Sequence, residues 1–547
     1  MKKKSSFRKL KIAVAQINPI LGDFERNCQI VLENAQRASQ EKADLIVFPE
    51  SCLMGYAPFD LLERSETVDL QMRAFQRLIK RWPSGVVGLL GVLTPRKTKK
   101  GRPYFNSAAW IEKGKLPRFF HKQLLPTGDV FDEARFIEAG SMKKNLVNFK
   151  GHRILVTICE DIWAWPDKDG ESPYQLNPLE DISSAAVDLI LNLSASPFFP
   201  NKILRRHQLL KKTSKRFRAP MLYVNMVGAQ DELIFDGGSL VTNSTGELLH
   251  VGKRFSEDFF VCDWEAQPVR IQKDSVEQLR QSLVLGIRDF VEKMGFQKVH
   301  LGLSGGIDSG LLACLAVQAL GVERVKFFAL PGPYSSAESW TLAKELAVAL
   351  GADLESLEIT SLYTSFVEKI SHFLPSNKEL TVSHENLQSR LRGLVLMFYA
   401  NAQSSLLLST SNKSEYATGF ATLYGDMCGG LAPLGDLTKA QIYELSQLYS
   451  CIPKQMKNRA PTAELRPDQK DEDSLPPYKQ LDSAVINLVE KDLPARSPVE
   501  KWLLLRLAQT EFKRWQAPPI LKVSERAFGR GRRWPIVNRV FVSRSKN

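Results

Sequence analysis

Between residues 11 and 263 short apolar runs rich in β-branched residues recur, each bounded by polar or turn-forming residues. KIAVAQI, DLIVFPE, VVGLLGVL, SAAWIE, RILVTICE, DLILNLSAS, MLYVNMV, GSLVTNS and FFVCDWE read as strands. Between some of them apolar positions fall at helical spacing, as in RNCQIVLENAQRASQEK, so layered α/β structure is predicted. VCDWEAQPVRIQKDS is polar, contains proline and breaks the pattern. Beyond it come helix SVEQLRQSLVLGIRDFVEKMG, strand KVHLGLS, helix DSGLLACLAVQALG, strand VKFFALP, helix SAESWTLAKELAVALG and strand DLESLEI. That βαβ series predicts a doubly wound parallel sheet. RAPTAELRPDQKDEDSLPP, proline-rich and charged, reads as a long loop, mobile unless a ligand orders it. The expected division is a basic tail over 1–10, a first domain over 11–265, a linker over 266–275 and a second domain over 276–547.

The chain's 547 residues are too many for one core, which agrees with two domains. It has no apolar stretch of membrane-spanning length, and the apolar IAVA near its start is too short for a secretory signal. The net charge of +14 suggests a polyanion partner until its distribution is examined. Residues 1–11 carry six basic groups and no acid, and residues 496–547 carry 13 basic and three acidic groups. The long middle is close to neutral, so the excess reads as a solvated tail and a nucleotide-facing end rather than a nucleic-acid groove. Seven cysteines, an odd number without CxxC or Cys/His clusters, point to a reducing cytoplasm and away from structural zinc.

Candidate chemistry begins at KVHLGLSGGIDSG. Gly302, Leu303, Ser304, Gly305, Gly306, Ile307, Asp308 and Ser309 join a strand to a helix. Gly305 and Gly306 let the backbone approach an anion, and the helix start adds a positive end. No lysine follows the last glycine, unlike the common triphosphate loop. Asp308 alone would repel phosphate, so it implies a divalent cation bridging carboxylate and phosphate. SGGIDS resembles the loop of the ATP pyrophosphatases, which split ATP between its α and β phosphates. HENLQSRLRGLVLMFYAN, LLLSTSNKSEYATGFATLYGDMCGG, PTAELRPDQKDEDSLPPY and KVSERAFGRGRRWPI extend the resemblance to NAD synthetase across the second half. The resemblance implies an adenine nucleotide alpha hydrolase-like sheet, ATP as co-substrate and Mg2+ held by Asp308 and Glu415. It further implies ATP contact at Thr410, and deamido-NAD contact at Asn386, Glu415 and Lys522. Ser411 stands where the family has glycine, so that turn is expected to differ slightly.

In the first half, RILVTICEDIW places Cys159 at a sharp strand end, DLIVFPE carries Glu50, and FFHKQLLPTGDVFDEARF carries Lys122. A thiol, a carboxylate to take its proton and an ammonium for an oxyanion suit acyl transfer, although sequence alone does not bring them together. FPE, HKxxLP with VFDE, and ICEDIW, in that order, resemble the nitrilase superfamily over roughly residues 10–260. That implies a four-layer α-β-β-α sandwich, a Glu50–Lys122–Cys159 triad supported by Glu133, and glutamine contacts at Ser196 and Lys202. The family's glutaminases usually carry tyrosine where this chain has Gly128. The two resemblances together imply a nitrilase-type glutaminase whose ammonia is consumed by an NAD synthetase, with glutamine, ATP and deamido-NAD as small-molecule partners and a homo-oligomeric assembly. The competing readings are ammonia-only synthesis with an impaired first domain, another ATP-pyrophosphatase-type amidase or tRNA-modifying enzyme, and a nonenzymatic scaffold or sensor with a dead glutaminase domain.

Overall fold

A computed structural model describes residues 10–98, 100–166, 170–370, 373 and 382–541. All but residue 10 of the expected basic tail lies outside the described residues. The chain divides into two compact units, Met1–Gln230 with Ile234–Lys273, and Asp231–Leu233 with Asp274–Asn547.

The first unit contains two six-stranded sheets. One runs, edge to edge, Asp258–Val261, Ile12–Gln16, Leu45–Val47, Val87–Pro95, Tyr104–Ile111, Arg118–His121. The other runs Leu248–Val251, Leu240–Thr242, Met221–Asn225, Leu189–Ser194, His152–Ile158, Leu146–Phe149. The central strands are uniformly buried because both faces are covered, which explains their near-continuous apolar runs. Alternation decides which cover each residue meets. Ile12, Val14, Leu45 and Val47 pack with Ile154, Val156, Leu191 and Val224 in the core between the sheets. Ala13, Ala15, Ile46 and Phe48 face the other way, onto Val31, Leu32 and Ala35 of helix Phe24–Gln40 and Phe75 and Leu78 of helix Ser65–Arg81. On the second sheet Leu155, Ile190 and Met221 meet Ile203, Leu210 and Phe217 of helix Lys202–Phe217. The architecture is therefore an α-β-β-α sandwich.

The second unit is built on a four-stranded parallel sheet ordered Leu354–Ser356, Val325–Ala329, Val299–Gly302, Leu406–Leu407. The chain starts in Val299–Gly302, steps outward twice, then returns to the opposite side. The order thus reverses beside the first strand, and at that switch point the strand ends splay into a crevice. Helices Val276–Lys293 and Ile307–Leu320 pack together, and a helical cluster around Tyr416, Leu481, Val485, Leu503 and Leu507 forms a second core. Among the described residues no helix is long and apolar enough to cross a membrane.

Candidate active sites

The first site lies at the ends of the strands of the sandwich. Strand His152–Ile158 runs directly into a tight 3-10 turn, Cys159–Ile162. Cys159 takes a φ of +42°, a left-handed conformation unusual for a non-glycine residue. Asp161 holds this turn: one carboxylate oxygen accepts the Ile158 N–H at 2.8 Å, the other the N–H groups of Gln123 and Leu124 at 2.9 Å each. The same side chain therefore ties the thiol turn to the segment that follows Lys122. Three backbone donors partly offset the burial that lifts the Asp161 pKa to about 6.

Lys122 is fully buried and donates to Glu50 Oε1 and to Glu133 Oε1, 2.8 Å each. Burial works against its charge, but Glu133 and Glu50 outweigh burial and hold its pKa well above the ordinary value. Glu50 is fixed on three sides, accepting also from Asn106 Nδ2 at 2.8 Å and from the Ala195 N–H at 2.9 Å. Glu133 also accepts from the Tyr56 hydroxyl at 2.7 Å, and burial raises its pKa. Burial, then the negative charge of Glu50, drive the Cys159 thiol pKa well up, with Lys122 pulling the other way. Burial thus disfavours the thiolate, while Glu50 and Lys122 act on the thiol electrostatically with opposite signs. Tyr56, Asn106, Phe131 and Glu133 line a small cavity of about 40 Å³.

Ser196 and Lys202 flank this region. Ser196 is buried, its N–H bonded to Asn225 Oδ1 at 2.9 Å and its hydroxyl accepting from Arg206 Nε at 3.3 Å. Lys202 opens helix Lys202–Phe217, its Nζ 4.9 Å from the Phe199 ring and 5.7 Å from that of Trp163. At Gly128 a Cβ would meet nothing within 4 Å, so the space a larger side chain needs there is open.

The second site is a cavity of about 300 Å³ at the sheet's switch point, lined by the whole of Gly302–Ser309 and by Thr410 and Glu415. The loop is pre-shaped. Ser304 Oγ and Ser309 Oγ lie 3.1 Å apart, Gly306 N–H donates to Ser304 Oγ at 3.3 Å, and Ser309 Oγ donates to Gly306 O at 3.0 Å. Gly305 sits at φ +81°, where a Cβ would fall 2.2 Å from the Ser339 carbonyl oxygen, so only glycine fits both the turn and its neighbour.

Asp308 accepts from Asn412 Nδ2 at 3.0 Å and is ion-paired to Lys439 Nζ. Asn412 caps helix Lys413–Thr418 in a reciprocal box with Glu415, whose Oε2 accepts the Asn412 N–H at 3.1 Å. Asp308 and Glu415 are thus brought together through one asparagine. Burial, then Asp308, raise the Glu415 pKa well above normal, with Lys439 opposing. Burial opposes the charge of Lys439, but Asp308 and Glu415 prevail and raise its pKa. Ser411 keeps a negative φ and donates to Asp426 O at 3.3 Å, so the turn accepts serine without strain.

Asn386 and Lys522 do not line this cavity. Asn386 accepts from the Thr422 hydroxyl at 2.7 Å, and Lys522 Nζ is bonded to the carbonyls of Ser524 and Glu525 at 2.7 and 2.6 Å. Residues that sequence reading missed are Lys439, Arg392, Arg459 and Glu464, all cavity-lining. Lys439 carries no local signal beyond following a threonine cap. The proline-rich loop, expected to be mobile without a ligand, is held here: Glu464 accepts from the hydroxyls of Ser336 and Ser339 at 2.8 and 2.9 Å and pairs with Arg459.

A sandwich that buries a Cys–Glu–Lys group, joined to a doubly wound sheet with a lysine-free anion loop, defines a two-domain enzyme of the amidotransferase class. Residues 11–280 match the carbon-nitrogen hydrolase family and residues 279–515 the NAD synthase family. A glutamine-dependent NAD(+) synthetase of Synechocystis sp. is 41% identical, covering 96% of this chain and 98% of the relative. One from Acinetobacter baylyi is 37% identical, covering 97% and 99%. A solved glutamine-dependent NAD+ synthetase from Acinetobacter baumannii, in complex with ADP, is 35% identical with a TM-score of 0.75, covering 97% of this chain and 98% of that one. The chain belongs to the glutamine-dependent NAD(+) synthetase family.

Proposed function

We propose that the chain converts deamido-NAD, ATP, glutamine and water into NAD, AMP, pyrophosphate and glutamate. In the sandwich, Glu50 accepts the Cys159 proton as the thiol attacks the side-chain amide carbon of glutamine. Lys122, held between two carboxylates, stabilises the oxyanion. Glu50 returns the proton to the departing nitrogen, ammonia leaves, and water then cleaves the thioester to glutamate. Ser196 and Lys202 hold the glutamine. In the second unit, a carboxylate oxygen of deamido-NAD attacks the α-phosphorus of ATP. The N–H groups and hydroxyls of Gly302–Ser309 hold the leaving pyrophosphate, and Thr410 contacts the nucleotide. Ammonia then displaces AMP from the acyl adenylate. Ammonium has no lone pair for that attack, so the nitrogen has to arrive as neutral ammonia.

Asp308 and Glu415, oxygen-donor carboxylates linked through Asn412 beside the loop, would hold a hard divalent cation. A magnesium ion there would offset the charge of the pyrophosphate. Asn386 and Lys522 are assigned to deamido-NAD by family resemblance, outside the cavity that carries Thr410 and Glu415. A homo-oligomer is supported by the exposed apolar face of helix Val382–Gln403, where Leu394, Met397 and Phe398 are 65%, 38% and 74% exposed. The seven cysteines, none in a disulfide, suit a reducing cytoplasm.

The observation that carries this reading is the fully buried Glu50–Lys122 pair in the electrostatic field of Cys159, in the same chain as the loop cavity. Mass spectrometry of products made with amide-labelled glutamine tests it: label in NAD with matching AMP is expected. Cys159→Ala should abolish glutamine-driven synthesis and spare ammonium-driven synthesis. Equal loss of both would contradict the division of labour. The open space at Gly128 favours one second reading, a weakened glutaminase, which would show as synthesis from ammonium alone.

A further inference from the structure

Three positions of helix Ile307–Leu320, spaced four apart, meet one stretch of chain. Gln318 Oε1 accepts from the Tyr449 hydroxyl at 2.5 Å, Cys314 Sγ lies 3.7 Å from Cys451 Sγ, and a Cβ at Gly310 would fall 2.5 Å from Met456 Sδ. That spacing puts Gln318, Cys314 and Gly310 on one face of the helix. Residues 449–456 therefore form a strap that runs along the helix toward the anion loop. The strap leads into Arg459 and then Ala460–Leu465, all of which line the loop cavity. Cys314 is buried in the helix, and Cys451 is half-buried on the strap.

We propose that Cys314 and Cys451 are a redox-sensitive pair that closes into a disulfide under peroxide and thereby weakens the hold of the loop cavity on ATP. The effect on ATP rests on the synthetase reading of the second unit, whereas formation of the bond does not. Cys451, the more exposed sulfur, meets peroxide first. Its thiolate attacks one peroxide oxygen, the O–O bond breaks, and the hydroxide that leaves takes up a proton as water. The Cys314 sulfur then attacks the sulfur of the sulfenic acid formed at Cys451, gives up its proton and expels the oxygen as a second water. Two thiols lose two electrons and two protons together, and one peroxide becomes two waters. Burial, then the charge of Cys451, push the Cys314 thiol pKa up, while the Lys457 ammonium opposes both and favours the thiolate that the second step needs. In a reducing compartment such a pair rests as dithiol and closes only transiently. Closing the bond draws together two sulfurs now 3.7 Å apart. Cys314 is fixed in its helix, so the strap moves toward it and shifts Met456 and Arg459 from their places against Gly310 and the Ser339 hydroxyl.

The test treats the full chain with hydrogen peroxide, removes the excess with catalase and follows two readouts. Peptide mass spectrometry without reductant should find Cys314 cross-linked to Cys451. The KM for ATP, with ammonium as nitrogen donor so that Cys159 is not needed, should rise about 5-fold and return to its starting value with dithiothreitol. Cys451→Ser should show neither change. Absence of the cross-link would overturn the proposal, and a cross-linked chain with unchanged KM would overturn its effect on ATP. An equal rise in Cys451→Ser would also overturn it, because oxidation at Cys428, which lines the same cavity, or at Met456 would then be the cause. A reduced chain that made no NAD from ammonium would instead sink the synthetase reading, with the cross-link still judged by mass alone.

Discussion

The two sites handle charge in opposite ways. In the sandwich one ammonium lies between two carboxylates, Lys122 and Glu50 at zero exposure and Glu133 at 9%, beside a cavity of about 40 Å³. In the sheet unit the loop is mostly backbone and hydroxyl and opens into about 300 Å³ whose lining includes two ion pairs, Asp308–Lys439 and Arg459–Glu464. A small amide needs fixed charges already in place, because the transition state is compact and one oxygen carries its charge. A triphosphate brings its own charge and needs many weak donors with room between them. Burial thus does the work in one site and loop geometry in the other.

This contrast can be broken most sharply at Asp308. Asp308→Asn removes the only carboxylate inside the loop, and NAD formation should fall by about 100-fold or more with glutamine or ammonium as donor. Retained synthesis with either donor would show that the second site does not depend on this charge. Next is Lys122→Met, which leaves two buried carboxylates facing each other without their cation. Folding stability should drop by about 3–5 kcal/mol, measured by denaturant unfolding, together with loss of glutamine hydrolysis. A milder loss would mean the sealed site tolerates unpaired charge. Gly305→Ala drives a methyl into Ser339 and forces an L-residue to positive φ. The affinity for ATP, read by calorimetry, should weaken about 10-fold while glutamine hydrolysis persists.

A further expected effect concerns pH. The Asp161 pKa is raised to about 6 in the fold, from 3.8. The native chain therefore holds a proton that the unfolded chain releases between those values, so this group lowers stability as pH rises through the window and adds no further change above it. By linkage the effect is about 3 kcal/mol at most. Asp161→Asn cannot titrate, so its Tm relative to the parent should improve from pH 4 to pH 6.5. A gap independent of pH would show that the three backbone donors keep Asp161 ionised throughout.

Legibility in the sequence followed the same divide. SGGIDS is contiguous, and its strand–loop–helix setting is written in the alternation of VHLGLS and LLACLAVQAL, so the loop was readable residue by residue. Glu50, Lys122, Glu133 and Cys159 are spread over more than a hundred positions. Each alone reads as an ordinary residue, and only the pairing of strands places Lys122 against Glu50. Lys439 was invisible for a related reason. Its role depends on the helix it starts returning to the loop, a long-range packing event with no local pattern. The nine strands read in the first half are present, but the short strands Arg118–His121, Leu146–Phe149 and Leu248–Val251 were passed over. Their polar or interrupted composition suits sheet edges, where only one neighbour must be satisfied.

The hydroxyl contact between Ser304 and Ser309 has a further consequence. Each serine has a partner within the loop itself, so the fold alone satisfies both hydroxyls. The loop's shape is thus written into its own side chains, and a nucleotide binding there would redirect existing bonds rather than build the loop anew.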